Sequence, residues 1–164
     1  MKVLGNELIV QLNSQIQKEY AACHAYWAME WAFLDLGWKG LAQWAHEEAS
    51  GERHHAKGIA YYMLKKRAAR PQMPMVAASQ SFYDMTPLEL LQAAAAMEAE
   101  MTENVNRLYT YAEDFDDGGV CLYAADMLEE QEKSEGELAQ MVKMLKAADD
   151  EGAALILLDE KYKP

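Results

Sequence analysis

The sequence predicts an all-α protein, a four-helix bundle with one long crossover and a short fifth helix near its C-terminal end. Helix breakers are few, with 4 Pro and 9 Gly in 164 residues. Apolar residues recur every three or four positions through four segments of about 28 residues, the spacing of one buried helix face. Helices of that length span about 42 Å at 1.5 Å per residue and pack side by side as a bundle.

Turn and cap residues mark the individual helices. Gly37 and Gly40 separate the first two segments. Thr86, Pro87 and Glu89 form the clearest helix start, because Thr caps the helix, Pro fits its first turn and Glu completes a capping box. An Asp-Asp-Gly-Gly turn precedes the fourth segment. The predicted helices cover residues 6–36, 39–67, 87–114, 119–147 and, for the short fifth helix, about 150–161.

The connections set the topology. Short turns join the first helix to the second and the third to the fourth, so each pair is expected to be antiparallel. The link from Ala68 to Met85 has 18 residues and, at about 3.3 Å per residue, is long enough to follow a whole helix. The second and third helices should therefore be parallel. The fifth segment reads Leu-Ile-Leu-Leu at 155–158 and needs a partner surface, on this subunit or in an oligomer.

Charge, hydropathy and cysteine content restrict the function classes. Twenty-seven acidic residues against 15 basic ones give a net charge of −12, which excludes nucleic-acid binding through a basic patch and favours cations as partners. No run of 18 apolar residues is available to cross a membrane. Cys23 and Cys121 lie in apolar surroundings and are expected to be reduced thiols, as is typical of a cytoplasmic protein. We expect residues 1–164 to form a single domain.

Polar residues interrupt the apolar face of all four long helices. The first helix carries Glu19 on this face and the third carries Glu98. Three consecutive turns of the second helix are polar, at Glu48, Glu52 and His55. The fourth helix carries Glu130 at the edge of the face and, on the face, Gln131, Ser134 and Glu135. These positions lie near the midpoints of their helices, so a bundle with matched ends brings them into one layer.

A layer of buried carboxylates must be protonated or must hold cations, because an unpaired buried ion costs several kcal/mol. His55 follows Glu52 by one turn, so both side chains can reach one metal ion. Carboxylates with an imidazole and no thiolate favour iron or manganese over structural zinc. A single Glu-x-x-His pair is a weak signal, but four interruptions at one height indicate a di-metal centre. The pattern leaves open whether Tyr26, two turns after Glu19, serves this centre or is an ordinary core aromatic.

At these residues the chain resembles the non-haem ferritins of prokaryotic type. The resemblance extends from about residue 8 to residue 162, and its specific parts are Glu19 with Tyr26, the Glu52-x-x-His55 pair, Glu98, Glu130-Gln131 and the apolar terminal run. It implies a ferritin-like fold and a cage of 24 subunits. Each subunit would oxidise Fe²⁺ with O₂ or H₂O₂ at a di-iron centre, and the cage would store ferric mineral.

The resemblance also implies a role for each ligand. Glu19, Glu52 and His55 would hold the first iron. Glu52 and Glu98 would hold the second, with Gln131 nearby. The fifth segment would meet its counterparts in the assembled cage.

Departures from the family pattern limit what carries over. The fourth helix lacks a second Glu-x-x-His, and Arg53 stands where a bacterioferritin offers its haem-ligating Met, so no haem is expected. Ser134 stands where many prokaryotic ferritins carry an acid, which leaves Glu130 or Glu135 as substitutes at a third iron site. Glu48, one turn before the bridging glutamate, is expected to relay iron toward or away from the centre.

We therefore expect an iron-storage ferritin with ferroxidase activity. Glu52 and Tyr26 are its expected catalytic residues, the first bridging two ions and the second hydrogen-bonded at the site. Its partners would be Fe²⁺, O₂ or H₂O₂ and further copies of the chain. One alternative is a non-storage di-iron peroxidase or oxygenase on the same bundle. Another is a non-catalytic bundle that uses the polar layer for pairing specificity.

Overall fold

The computed structural model describes residues 3–148 and 151–163. Its helices are α1 (Asn6–Asp35), α2 (Lys39–Lys66), α3 (Pro87–Asp114), α4 (Gly118–Ala147) and α5 (Glu151–Lys161). The all-α class is confirmed, and the predicted bounds of the long helices agree within one residue. The predicted start of the fifth helix at residue 150 lies outside the described residues. Among the described helices, none is both long enough and apolar enough to cross a membrane.

Local sequence explains where the helices begin. The Thr86 hydroxyl accepts a hydrogen bond from the Glu89 backbone amide, and the Glu89 carboxylate accepts one from the Thr86 amide at 2.7 Å, so the predicted capping box is formed. Asp117 caps α4 by accepting a hydrogen bond from the Val120 amide at 3.2 Å. Between α1 and α2, Gly37 adopts a φ of +87°, a conformation that strains other residues.

Two apolar clusters fill the bundle, one on either side of a polar layer. The upper cluster joins the end of α1 to the starts of α2 and α3, with buried members that include Tyr26, Phe33, Leu41, Leu91 and Leu138. The lower cluster joins the start of α1 to the ends of α2 and α3, with buried members that include Leu8, Leu12, Ile59, Leu108 and Val120. Helices α2 and α3 therefore run parallel from the upper to the lower cluster, as predicted.

The link between α2 and α3 is the long crossover. It begins at the lower cluster, where Ala69 is buried, and reaches the upper cluster, where Phe82 is buried. Between these points it lies along α1, where the Asn13 side-chain oxygen accepts a hydrogen bond from the Gln72 amide at 2.7 Å. Contacts of this kind satisfy the backbone groups of an irregular segment.

Helix α5 caps the start of α2 from the other end of the sequence. The Asp159 carboxylate accepts hydrogen bonds from the backbone amides of Gly40, at 2.7 Å, and Leu41, at 3.0 Å. The first amides of a helix have no hydrogen-bond acceptor within the helix. The residue before α2, Trp38, provides no side-chain cap, so the Asp159 carboxylate serves as the cap instead. The approach requires glycine, because a Cβ at Gly40 would lie 1.8 Å from the Asp159 carbonyl oxygen.

The two faces of α5 have different surroundings. Ala154, Leu155 and Leu158 are buried in the upper cluster of their own chain. Ile156 and Leu157 point away from it and are 56% and 69% exposed. The apolar run thus finds one partner surface within the subunit, and its other face presents apolar area to the outside.

A buried ion pair closes the lower end of the bundle. Arg67 at the end of α2 donates to Asp117 at the start of α4, with one nitrogen–oxygen distance of 2.7 Å. The same guanidinium nitrogen donates to the Tyr62 hydroxyl at 2.8 Å. The pairing offsets the cost of burying the two charges.

Candidate metal centre

The polar layer between the clusters is built by all four long helices. Glu19 of α1, Glu52 of α2, Glu98 of α3 and Gln131 of α4 are each between 1% and 4% exposed. Each occupies a position on the buried face of its helix where an apolar residue is expected. The four positions lie at the same height along the bundle. The structure therefore brings these four residues together.

Glu19, Glu52 and His55 form the tightest group in this layer. One ligand atom from each lies within 4.8 Å of the others. His55 Nδ1 is 3.3 Å from a Glu52 carboxylate oxygen and 3.7 Å from Glu19 Oε2. The other Glu19 oxygen accepts a hydrogen bond from the Gln15 amide at 2.7 Å. Glu19 Oε2 itself is buried and has no hydrogen-bond partner among the described residues.

Glu98 occupies the other side of the layer and is held at both oxygens. The Tyr26 hydroxyl donates to Glu98 Oε1, and the Gln131 side-chain amide donates to Glu98 Oε2 at 2.8 Å. The Tyr26 ring is fixed in turn by an edge-to-face contact with Trp44, with ring centroids 5.7 Å apart. Tyr26 therefore contacts the layer and is not merely a core aromatic.

Burial and neighbouring charges shift the pKa values of the residues in this layer. Burial raises the pKa of Glu52 well above its usual value, and burial also raises that of Glu98. The neighbouring carboxylates of Glu19 and Glu52 raise the pKa of His55 to about 11, so its imidazole is protonated at neutral pH. A divalent cation bound here would displace protons and supply the positive charge that they provide.

Glu130 lies at the mouth of the group. Its carboxylate is 3.2 Å from His55 Nε2, and its side chain is 60% exposed. Together with Tyr123 and Asp126, these two residues line a cavity of about 220 Å³ between α2 and α4. The second nitrogen of His55 is thus oriented by a carboxylate at the surface.

Two further predicted residues lie beside the group rather than in it. Glu48 is half-buried one turn before Glu52, and burial together with the charges of Glu98 and Glu137 raises its pKa to about 7. Glu135 accepts a hydrogen bond from the Thr102 hydroxyl of α3. Its carboxylate is therefore directed toward α3, and it is not part of the Glu19–Glu52–His55 group.

Sequence reasoning missed Gln15. Its side chain is 2% exposed, donates to Glu19 and also contacts the Met101 sulfur at 3.0 Å. The available signal was its spacing, because a residue one turn before Glu19 lies on the same helix face. Gln15 orients one Glu19 oxygen and leaves the other directed to the group.

These residues fit a metal centre. The donor set consists of carboxylates and one imidazole, which suits iron or manganese. The buried Glu19 oxygen has no hydrogen-bond partner among the described residues, so it is free to coordinate a cation. A helical bundle with such a group in its core defines a class of metal-binding four-helix proteins.

Comparison with known families makes this class specific. The family model for the ferritin-like domain matches residues 9–148. The chain therefore belongs to the ferritin family.

Individual relatives agree with this assignment. The bacterial non-heme ferritin of Staphylococcus haemolyticus (strain JCSC1435) is 26% identical over 159 residues, covering 97% of this chain and 95% of that protein. Its counterpart from Staphylococcus aureus (strain USA300) is 28% identical over 160 residues, with the same coverage. The open pore ferritin of the archaeon Archaeoglobus fulgidus aligns with a TM-score of 0.91 at 22% identity, covering 97% of each chain. This structural likeness shows the shared fold.

Proposed function

We propose that this protein stores iron and oxidises Fe²⁺ at a di-iron centre within each subunit. The observation that carries the proposal is Glu19 Oε2, a buried carboxylate oxygen that lacks a hydrogen-bond partner among the described residues and lies beside Glu52 and His55. Burying such an oxygen costs free energy, which a bound cation would offset. Membership of the ferritin family, and relatives named as non-heme ferritins, support iron as that cation.

Four residues would hold the two ions, and a fifth would position one of these four. Glu19 and His55 bind the first Fe²⁺, Glu98 binds the second, and Glu52 bridges them from between. Gln131 does not bind strongly as a neutral amide but holds one Glu98 oxygen at 2.8 Å. Because both iron positions share Glu52, the two electrons that an oxidant takes up leave neighbouring ions.

The side chains around the ions control their charge and position. Incoming Fe²⁺ displaces the proton that His55 holds in the metal-free protein, and its charge offsets the burial that raises the pKa of Glu52 and Glu98. Tyr26 keeps one Glu98 oxygen in place by donating its hydroxyl hydrogen. The iron supplies the electrons for O₂ or H₂O₂, and the protein fixes spacing and charge.

Three acidic residues extend from the centre. Glu130 contacts His55 at the mouth of the cavity between α2 and α4, where a cation approaching from outside meets it first. Glu48 lies one turn before Glu52, where the charges of Glu98 and Glu137 both raise its pKa, and is suited to relay iron. Glu130 or Glu135 would supply the carboxylate that Ser134 lacks at a third iron site.

Assembly into a cage of 24 subunits is part of the proposal. The exposed residues Ile156 and Leu157 of α5 offer an apolar surface for other copies. We also propose that the chain forms a single domain and is located in the cytoplasm. Its free thiols, Cys23 and Cys121, are consistent with that location.

The first experiment tests the centre. Two Fe²⁺ per subunit are added anaerobically, O₂ is then mixed in, and absorbance is followed by stopped flow. We expect a fast diferric transient that is lost in Glu52→Ala. Glu100→Ala is the matched control, because Glu100 is an exposed residue of α3 two positions from Glu98. An unchanged fast phase in Glu52→Ala would show that the site assignment is wrong.

A second experiment tests storage. The protein is loaded with a large excess of Fe²⁺ in air, and particle mass and protein-bound iron are measured on the same chromatographic fraction. Iron that elutes with a cage-sized particle supports storage. A small oligomer that oxidises Fe²⁺ but retains none would instead support a non-storage di-iron enzyme.

A further inference from the structure

Two tyrosines stack on each other just below the polar layer. The rings of Tyr62, on α2, and Tyr123, on α4, have centroids 4.6 Å apart and planes inclined by 22°. Neither residue is a predicted metal ligand, and both lie on the faces where α2 and α4 meet. A ring that loses an electron is stabilised by the π-electrons of a neutral ring stacked on it, so the pair is more easily oxidised than an isolated ring.

Tyr123 is the member of the pair beside the metal centre. It lines the same cavity of about 220 Å³ as His55 and Glu130. Its hydroxyl reaches the backbone of α2 at Gly58, where a Cβ would lie 2.9 Å from the phenolic oxygen. Burial and the charges of Glu19 and Glu130 raise the pKa of Tyr123 to about 12, so its hydroxyl keeps its proton at neutral pH.

Tyr62 has a different electrostatic environment. The Arg67 guanidinium donates a hydrogen bond to its hydroxyl at 2.8 Å and lies 5.9 Å from its ring centroid. A positive charge at that position opposes the loss of an electron from Tyr62. Of the two rings, Tyr123 is therefore the one more easily oxidised.

We propose that Tyr123, stacked on Tyr62, is a redox-active residue that supplies the second electron when hydrogen peroxide meets a subunit holding a single Fe²⁺. The inference rests on the proposed function, since the peroxide reacts with iron in the centre. Fe²⁺ gives one electron and the O–O bond breaks, forming Fe³⁺ and hydroxide. Tyr123 gives one electron and its hydroxyl proton to the remaining OH fragment of the peroxide, which leaves as water. Tyr123 becomes a neutral phenoxyl radical.

The cycle closes when further iron arrives. A second Fe²⁺ reduces the Tyr123 radical, which takes up one proton and becomes a phenol again, while the iron becomes Fe³⁺. Across both steps, two Fe²⁺ reduce one peroxide to hydroxide and water. A half-loaded subunit thus avoids releasing a hydroxyl radical into its own core.

Electron paramagnetic resonance tests the proposal directly. One Fe²⁺ per subunit is bound anaerobically, H₂O₂ is added, and samples are frozen within milliseconds, with iron oxidation followed by absorbance in parallel. We expect a narrow organic-radical signal that is lost in Tyr123→Phe. Tyr61→Phe is the matched control and should keep the signal, because Tyr61 is 59% exposed on the outer side of α2.

Further variants separate a redox role from a structural one. Tyr62→Phe keeps the stacked ring and should keep the signal, whereas Tyr62→Leu removes the ring and should shorten the radical's lifetime. Thermal unfolding of Tyr123→Phe checks that its fold is intact. Tyr26→Phe tests the other phenol at the centre, because loss of the signal in that variant alone would assign the radical to Tyr26 instead of Tyr123.

Each contrary result is distinct. A signal retained in Tyr123→Phe, or lost in Tyr26→Phe alone, would overturn the assignment. Iron oxidation without any radical would overturn this inference while leaving the proposed function standing. Absence of iron oxidation would overturn the proposed function and this inference with it.

Discussion

Replacing Glu48 by Gln should stabilise the metal-free protein at neutral and alkaline pH. Burial and the charges of Glu98 and Glu137 raise the pKa of Glu48 from 4.5 to about 7. Between these two values the folded state keeps a proton that the unfolded state releases, so this carboxyl lowers stability progressively as pH rises through that window. Gln has the same shape and no charge to bury.

The pKa of Glu48 sets the size of the effect. The difference between 4.5 and about 7, at 1.36 kcal/mol per pKa unit, corresponds to about 3 kcal/mol. Solvent screening at this half-buried side chain reduces the expected gain to about 1–3 kcal/mol. The full gain should be present above about pH 7, and Glu48→Gln should match the parent protein below about pH 4.

Urea unfolding followed by circular dichroism measures this difference. The titrations are run with chelator from about pH 4 to about pH 8, at one protein concentration because association also contributes to stability. Glu47→Gln is the control, since Glu47 is the exposed neighbour of Glu48 and should show no such gain. The reasoning is refuted if Glu48→Gln is no more stable than the parent at pH 8, or if its advantage persists unchanged at pH 4.

Three other predictions concern the centre and the two ends of the bundle. Zn²⁺, a redox-inert probe, should release at least one proton per subunit near pH 7, because the pKa of His55 is about 11. Its affinity should therefore rise with pH, and a pH indicator showing no release would contradict the protonated imidazole. Gly40→Ala should lower the Tm and expose α5 to limited proteolysis, because the added Cβ displaces Asp159 and the lost cap alone costs about 1 kcal/mol. Arg67→Met should cost about 3–5 kcal/mol in urea unfolding, because it deprives the buried Asp117 carboxylate of its guanidinium. Adding Asp117→Leu should recover part of that loss.

The fold was predictable where its determinants are local. The capping box of Thr86 and Glu89 lies within four consecutive residues. It correctly predicted that α3 begins at Pro87. The parallel order of α2 and α3 followed from the length of one link. The docking of α5 did not follow, because the Asp159 cap joins residues 119 positions apart. In the sequence Gly40 resembles a helix breaker. In the structure it lies inside α2, where the absence of a side chain lets α5 pack closely.

The candidate site was predictable to the level of helix faces. Glu19, Glu52 and Glu98 were identifiable because burying a carboxylate on an apolar helix face costs free energy unless the group is paired or binds a metal ion. Face periodicity fixes the direction of a Cβ but not the path of a long side chain. Glu135, on the same face as Gln131, therefore bonds Thr102 instead of joining the group.

The contact between Asp159 and the start of α2 has a consequence for the cage assembly that we propose. Because α5 is anchored to its own subunit by this cap, Ile156 and Leu157 are presented in a fixed orientation before any other chain meets them. The conformational entropy of ordering this helix is spent during folding of the single chain. Whatever surface covers these two side chains meets a preorganised element, and the free energy of burying them goes to association instead of to ordering a loose tail.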